Sequence, residues 1–129
     1  MPKDLTVVAP NRPGMFDALR DATASAGVAI EGVCAFSAMG QKTFHLLASD
    51  EQAAAARRAL ESAGLEVRLE REVLVLHVTD GPPAIAEIAR RLAQADVSVD
   101  IMYLATGDRL VLGVDSIDRA QTALIGFGS

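Results

Sequence analysis

The feature that most restricts the fold of this chain is an internal repeat. An apolar run at residues 5–8 leads into a loop with Pro13 and then into apolar residues at helical spacing. The same order recurs downstream, where the apolar run 74–76 leads into a loop with Pro82 and a second helical pattern. Because self-similarity at a fixed offset marks a repeated structural unit, we expect two copies of one module.

Both copies predict the element order strand, helix, strand, strand, helix. Pro13 and Pro82 predict the start of the first helix in each copy, since proline fits the first helical turn, where no backbone donor is needed. β-Branched residues after each helix, at 28–30 and 97–99, predict the second strands. Glycine-containing turns then predict a hairpin into the third strand of each copy.

The end of the pattern distinguishes the two copies. A fourth strand is predicted at residues 65–69, whereas the second copy reaches Ser129 before a fourth strand begins. The order is that of the split βαβ arrangement, an antiparallel sheet with both helices on one face. The sequence therefore predicts an α+β fold of two tandem ferredoxin-like (βαββαβ) modules, residues 1–70 and 71–129, the second lacking its fourth strand.

Charge and cysteine content exclude several classes of function. The net charge is −5 and the 12 basic residues form no run, so nothing favours binding to nucleic acid or to an anionic membrane. The single cysteine, Cys34, can form neither an internal disulfide nor a multi-cysteine metal site. No signal peptide or membrane span is predicted, so we expect a cytoplasmic protein without a cofactor.

Side chains that could carry catalysis are scattered along the chain. His45 and His77 fall in predicted strands without an acidic or cysteine neighbour at ligand spacing, and both are interpreted as structural. Cys34 lies in no nucleophile motif and is interpreted as a small core residue. The sequence thus predicts a protein that is not an enzyme and holds no metal.

The region 7–30 resembles the ACT family of amino-acid-binding regulatory domains. It carries Asn-Arg-Pro-Gly at 11–14 in the loop after a first strand, then a helix, then Gly-Val-x-Ile at 27–30. The resemblance covers both copies and is to stand-alone tandem ACT proteins rather than to the tail of an enzyme.

The resemblance implies where a ligand would bind. In ACT domains the ligand lies against the first loop and the start of the first helix, often closed by a second-strand residue of a neighbouring module. A helix N-terminus offers free N–H groups and a partial positive charge to a carboxylate, and glycine allows close approach. The implied ligand-binding residues are Asn11, Arg12, Pro13, Gly14, Met15, Phe16, Ser98, Asp100 and Asp80.

Each of these residues can also be explained without a ligand. Asn11 could be only a turn or capping residue, and Arg12 an exposed, solvated loop side chain. Asp80 and Asp100 could hold the α-amino group of the ligand, or could be caps and surface carboxylates. Phe16 falls on the apolar stripe of the first helix, which predicts that it packs in the core.

The two loops are expected to differ in their ability to bind a ligand. The second loop has Pro83 where the family has glycine, which removes a backbone donor. At the second-strand position, Ala29 of the first copy has no hydrogen-bonding side chain, whereas Ser98 of the second copy has one. The first loop together with Ser98 is therefore the better candidate site.

The predicted function is that of a sensor that binds a free L-amino acid at the first loop and the module interface. The alternative is a protein-interaction regulatory subunit that controls an enzyme of amino-acid metabolism and has no ligand of its own. A homodimer is expected, because the residues between Leu69 and Val73 are too few for the second strands of one chain to pair. The strand edges at 28–36 and 97–104 would then be open to a second copy.

Overall fold

The computed structural model describes residues 1–127 and divides the chain into two compact units. The first unit is Met1–Glu72, and the second begins at Val73. Each unit consists of an antiparallel sheet and two helices. The predicted α+β fold of two ferredoxin-like modules is confirmed.

The first unit has the complete βαββαβ order. Its elements are β1 (Lys3–Pro10), α1 (Met15–Ser25), β2 (Gly32–Ala38), β3 (Gln41–Ala48), α2 (Ala53–Ser62) and β4 (Glu66–Glu72). The sheet order is β2-β3-β1-β4, with every neighbouring pair antiparallel. Strand β1 is therefore central, and the loop that follows it leaves from the middle of the sheet.

The second unit repeats the first five elements. They are β5 (Leu74–His77), α3 (Pro82–Gln94), β6 (Val99–Ala105), β7 (Arg109–Val114) and α4 (Ile117–Ala123). Its sheet has the order β5-β7-β6 and is also antiparallel. Within the described residues this sheet has three strands, as the missing fourth-strand pattern predicted.

In the first unit, both helices pack against one face of the sheet. Alternate residues of β1, namely Leu5, Val7 and Ala9, share one buried cluster with Leu19 of α1 and Leu60 of α2. Each fully buried leucine contributes about 1.5–3 kcal/mol relative to exposure. This burial holds α1 against the face of the sheet that contains Leu5, Val7 and Ala9.

The second unit has a cluster of the same design. Leu76 of β5 and Leu112 of β7 pack with Ile88 and Leu92 of α3 and with Ala120 of α4. Aliphatic side chains thus build both cores, as the low aromatic content requires. Each helix within residues 1–127 is too short or too polar to cross a bilayer.

The exit from α1 corrects the predicted start of the second strand. Gly27 has φ +71°, and the Val28 N–H donates to the Thr23 carbonyl at 3.0 Å, which is the Schellman arrangement at a helix C-terminus. Val28 is buried in the core as the apolar residue of that motif. The residues 28–30 therefore belong to the helix exit, and β2 begins at Gly32.

The exit from α3 repeats this geometry. Asp96 takes the position of the glycine with φ +58°, and the Val97 N–H donates to the Leu92 carbonyl at 2.9 Å. Val97 is likewise buried, so its apolar character reflects the motif rather than a strand. Strand β6 begins at Val99, the last residue of the predicted strand start.

Packing between β6 and β7 gives a test of this unit. Gly113 lies opposite Ile101, and a Cβ at position 113 would be 2.9 Å from the Cβ of Ile101. We expect Gly113→Ala to lower the free energy of unfolding by about 1–3 kcal/mol, the usual cost of overpacking, in a denaturant titration. The double variant with Ile101→Gly, which removes the Cβ of residue 101, should lose less than the sum of the two single losses, and simple additivity would contradict the proposed clash.

Candidate functional site

The loop between β1 and α1 is fixed by the end of the sheet. The β1–β3 ladder runs as far as the pair Pro10 and Gln41. Immediately afterwards the Asn11 N–H donates to the Gly40 carbonyl at 3.1 Å, and the Arg12 N–H donates to the Pro10 carbonyl at 3.0 Å. The loop backbone is therefore held by hydrogen bonds before the helix begins.

Helix α1 begins at Met15 rather than at Pro13, which corrects the predicted start. Gly14 is the N-cap with φ +87°, a left-handed conformation that is costly for residues with a Cβ. Gly14 supplies no side-chain cap, and the Ala18 N–H makes a helical bond to its carbonyl at 3.0 Å. The N–H groups of residues 15–17 therefore have no acceptor within the helix.

A cleft of about 420 Å³ lies at this helix start. It is lined by Asn11, Arg12, Pro13, Gly14, Met15, Phe16, Asp17 and Lys42. The structure thus brings together the six first-loop residues that the resemblance implied, and ligand contact itself stays a prediction. The cleft is within the size range of small-molecule sites.

Two lining residues, Asp17 and Lys42, were not among the residues predicted from the sequence. Asp17 follows the implied loop directly and is the acidic residue of the first turn of α1. Lys42 is remote in sequence but pairs with Ala9, near the end of β1. The register of β3 against β1 would have indicated Lys42, because it places the start of β3 beside the first loop.

The polar side chains of the loop have local partners. The Ser37 hydroxyl donates to Oδ1 of Asn11 at 3.2 Å, and Nε of Arg12 contacts Sδ of Met15 at 3.3 Å. Asn11 is therefore oriented by β2, and its amide group keeps its two N–H donors. Neither contact uses the full hydrogen-bonding capacity of the side chain.

The prediction that Phe16 packs in the core is wrong. Met15, Leu19 and Thr23 are the buried residues of α1, whereas Phe16 is 48% exposed. Its ring lies 6.1 Å from the ring of Phe44 and nearly parallel to it. Phe16 therefore covers the edge of the core and still presents apolar surface to the cleft.

The charged groups that line the cleft differ in whether they form an ion pair. Asp17 forms an ion pair with Arg20 at 3.3 Å. Within residues 1–127, neither Arg12 nor Lys42 has a carboxylate within 4 Å. The lining therefore contains two cations and one carboxylate, and that carboxylate already has a partner outside the lining.

The equivalent loop of the second unit offers fewer donors. Gly81 is the N-cap of α3, and Pro82 and Pro83 occupy the next two positions without N–H groups. The Ala84 N–H donates to the Gly81 carbonyl at 3.0 Å. The first turn of α3 thus keeps no N–H group free for an anion, while the first turn of α1 has three.

The remaining implied site residues all belong to the second unit. Asp80 is exposed, and α3 has no side-chain cap, so Asp80 does not cap it. The backbone of Ser98 exchanges hydrogen bonds with Asp115, and Ser98 itself lies just before β6. Asp100 is exposed within β6. Their predicted contribution to a ligand site stays a prediction.

His45 has an acidic partner that its sequence neighbours did not indicate. Nδ1 of His45 lies 3.0 Å from Oδ2 of buried Asp4 and 3.4 Å from Oγ1 of Thr6. Both of these contacts involve the same ring nitrogen. Among the described residues, no group of three or more His, Cys, Asp or Glu side chains could hold a metal ion.

The likeness of this chain to known proteins is one of structure and not of sequence. No protein-family profile matches it, and no curated protein matches its sequence. Solved structures do match: a protein from Bacteroides thetaiotaomicron has a TM-score of 0.79 and 17% identity, over 95% of this chain and 85% of that one.

Two regulatory subunits of aspartate kinase match as well. The ligand-free subunit from Thermus thermophilus has a TM-score of 0.73 and 16% identity, over 95% of this chain and 87% of its own. The subunit from Thermus flavus has a TM-score of 0.71 and 17% identity, over 95% of this chain and 89% of its own. The chain has a fold similar to that of aspartate kinase regulatory subunits. At these identities the likeness is one of fold.

The conformation of Gly14 gives a prediction for the loop. A Cβ at Gly14 would have no atom within 4 Å, so a substitution meets only backbone strain. We expect Gly14→Ala to lower the free energy of unfolding by about 1 kcal/mol, measured by denaturant titration, because φ is positive. Gly14→Asn should lose less, since asparagine tolerates this region better. Equal stability of the wild type and Gly14→Ala would contradict the left-handed cap.

Proposed function

We propose that this chain is a regulatory protein that binds a free L-amino acid in the cleft at the start of α1 and catalyses no reaction. The observation that carries the proposal is a cleft with three uncapped N–H groups, at residues 15–17, beside the polar side chains of Asn11 and Asp17. A zwitterion needs one anion site and one cation site close together. This helix start provides both.

The α-carboxylate of the ligand is assigned to the N-terminus of α1. Hydrogen bonds from N–H groups to a charged acceptor contribute about 1.5–3 kcal/mol each, and the partial positive charge of the helix adds to them. The α-ammonium is assigned to the Asp17 carboxylate or to Oδ1 of Asn11, both in the lining. Phe16 supplies apolar surface for the ligand side chain.

The similar structures support a regulatory role. Two of them are named as regulatory subunits of aspartate kinase, and the likeness extends over nearly all of this chain. We therefore propose that the chain transmits the level of an amino acid to an enzyme of amino-acid metabolism. Ser98, Asp100 and Asp80 of the second unit stay candidates for completing the site.

The absence of catalysis is proposed from the chemistry of the lining. Asn11, Arg12, Asp17 and Lys42 are the polar lining residues, and they include no nucleophile paired with a general base. Asp4 and His45 form a close acid–imidazole pair, but Asp4 is fully buried and neither residue lines the cleft.

The alternative is a protein-interaction subunit without a ligand of its own. It is favoured by exposed apolar residues on the edge strands, Phe36 on β2 and Leu104 on β6, which are 53% and 59% exposed. Open edge strands with apolar side chains invite pairing with another chain. A screen of the twenty amino acids by thermal shift separates the two functions, since a ligand of the native state raises its stability.

Deleting one first-turn N–H group tests the carboxylate site. Phe16→Pro removes the amide of residue 16, at a helix position where α3 itself carries proline, whereas Phe16→Ala keeps that amide. We expect Phe16→Pro to bind the amino acid found in the screen about tenfold more weakly than Phe16→Ala, in calorimetry, because a hydrogen bond to a charged group is lost.

Denaturation curves of the two Phe16 variants control for folding. Similar stabilities with different affinities would assign the loss to the amide. Equal affinities of the two variants would place the carboxylate elsewhere, and no heat with any amino acid for the wild type would favour the interaction subunit.

We propose that the working unit is a homodimer formed through open strand edges. In the described part of the chain β2 pairs with β3 alone, and Val33 and Phe36 are exposed on it. Light scattering should give twice the 13.5 kDa chain mass, and Phe36→Lys should shift the protein toward monomer. Met39→Lys, on a fully exposed turn residue, is the matched control. A wild-type monomer at all concentrations would refute the dimer.

A further inference from the structure

We propose that the cleft at the start of α1 selects an acidic amino acid, one with a second carboxylate, over its neutral amide counterpart. This inference rests on the proposed function, because it names the class of ligand for the same cleft. The deciding observation is the surplus of cationic side chains around it. Arg12 and Lys42 both line the cleft, while Asp17 is its one lining carboxylate.

In the proposed binding mode, the α-carboxylate and the α-ammonium of the amino acid do not use these two cations. Its carboxylate is served by the N–H groups of residues 15–17, and its ammonium by Asp17 or by Oδ1 of Asn11. Arg12 and Lys42 then remain for the ligand side chain. Asp17 also has Arg20 at 3.3 Å, which reduces its ability to neutralise either lining cation.

Lys42 lies on the side of the sheet that faces the helices. Successive side chains of a strand alternate between faces, so Lys42 shares its face with Phe44 and Leu46, both in the core under α1 and α2. Phe44 stacks on Phe16 of α1 at 6.1 Å. Lys42, two residues closer than Phe44 to the start of β3, therefore lies beside the first turn of α1, where the cleft is.

Arg12 approaches the cleft from the loop. Its Nε contacts Sδ of Met15 at 3.3 Å, which holds the side chain against the first turn of the helix. Its two terminal nitrogens have no carboxylate within 4 Å in residues 1–127. A guanidinium whose terminal nitrogens have no carboxylate partner can bind a carboxylate with two parallel hydrogen bonds.

The excess of cationic side chains in the cleft contrasts with the negative net charge of the chain. The net charge is −5, so the average surface is negative and carboxylates are available to pair with basic residues elsewhere. Lys3, Arg57 and Arg90 are each paired in this way. Two cations left together in a cleft of an acidic chain are suited to an anionic ligand group.

Isosteric ligand pairs test the inference on the full chain by calorimetry. L-Glutamate and L-glutamine differ in charge with little change of shape, as do L-aspartate and L-asparagine. We expect the acidic member of at least one pair to bind about tenfold more tightly than the amide, which corresponds to about 1.4 kcal/mol. Raising the salt concentration should reduce this ratio, because a partly exposed charge pair is screened.

A variant at Lys42 identifies the group responsible. Lys42→Gln should weaken binding of the acid severalfold more than binding of the amide, which lowers the acid-to-amide ratio, whereas Lys42→Arg should keep most of the ratio. Arg12→Gln is expected to reduce the ratio as well. Denaturation curves of all three variants check that the fold is retained.

The outcomes separate this inference from the proposed function. If neutral amino acids bind and the acid-to-amide ratio is near one, the inference is wrong and the proposed function stands. A ratio that is high but unchanged in both Lys42→Gln and Arg12→Gln also overturns the assignment to these cations. If no amino acid binds, both the proposed function and the inference fail.

Discussion

The pairing of β1 with β3 is the constraint on which the candidate site depends. Its ladder joins eight residue pairs, from Lys3 and Ala48 to Pro10 and Gln41, and continues into the hydrogen bond between Asn11 and Gly40. This register fixes where the first loop leaves the sheet. It also brings the start of β3 beside that loop, although the two segments are far apart in sequence. The cleft is therefore a property of the sheet as much as of the loop.

The two repeats share a fold but differ in the backbone donors at the start of the first helix. Both first helices begin after a glycine with positive φ, Gly14 in one unit and Gly81 in the other. The first turn of α1 keeps its N–H groups, whereas Pro82 and Pro83 remove two from α3 and a backbone bond uses the third. Two prolines thus reduce the number of free N–H groups at a helix start while leaving the surrounding fold in place.

The helix exits explain where local patterns misled the prediction. A β-branched residue after a glycine is typical of a strand start, but it also suits the Schellman motif, in which an apolar residue covers the end of the helix. Val28 and Val97 occupy that role and are buried. Local sequence cannot separate the two cases, because both require an apolar residue near the same core. Phe16 lies on the apolar stripe of α1, which predicted a core position, but its side chain stays half exposed.

The sequence by itself determined the repeat, the element order and the antiparallel ferredoxin-like modules. These follow from periodicity and turn chemistry, which act over a few residues. It also indicated the six first-loop residues of the cleft, through a contiguous motif. Only the tertiary structure decided that Lys42 joins them, that Asp17 is paired with Arg20, and that His45 lies against Asp4. Such contacts depend on strand register and helix docking, which join distant segments through packing and leave no short-range pattern in the chain.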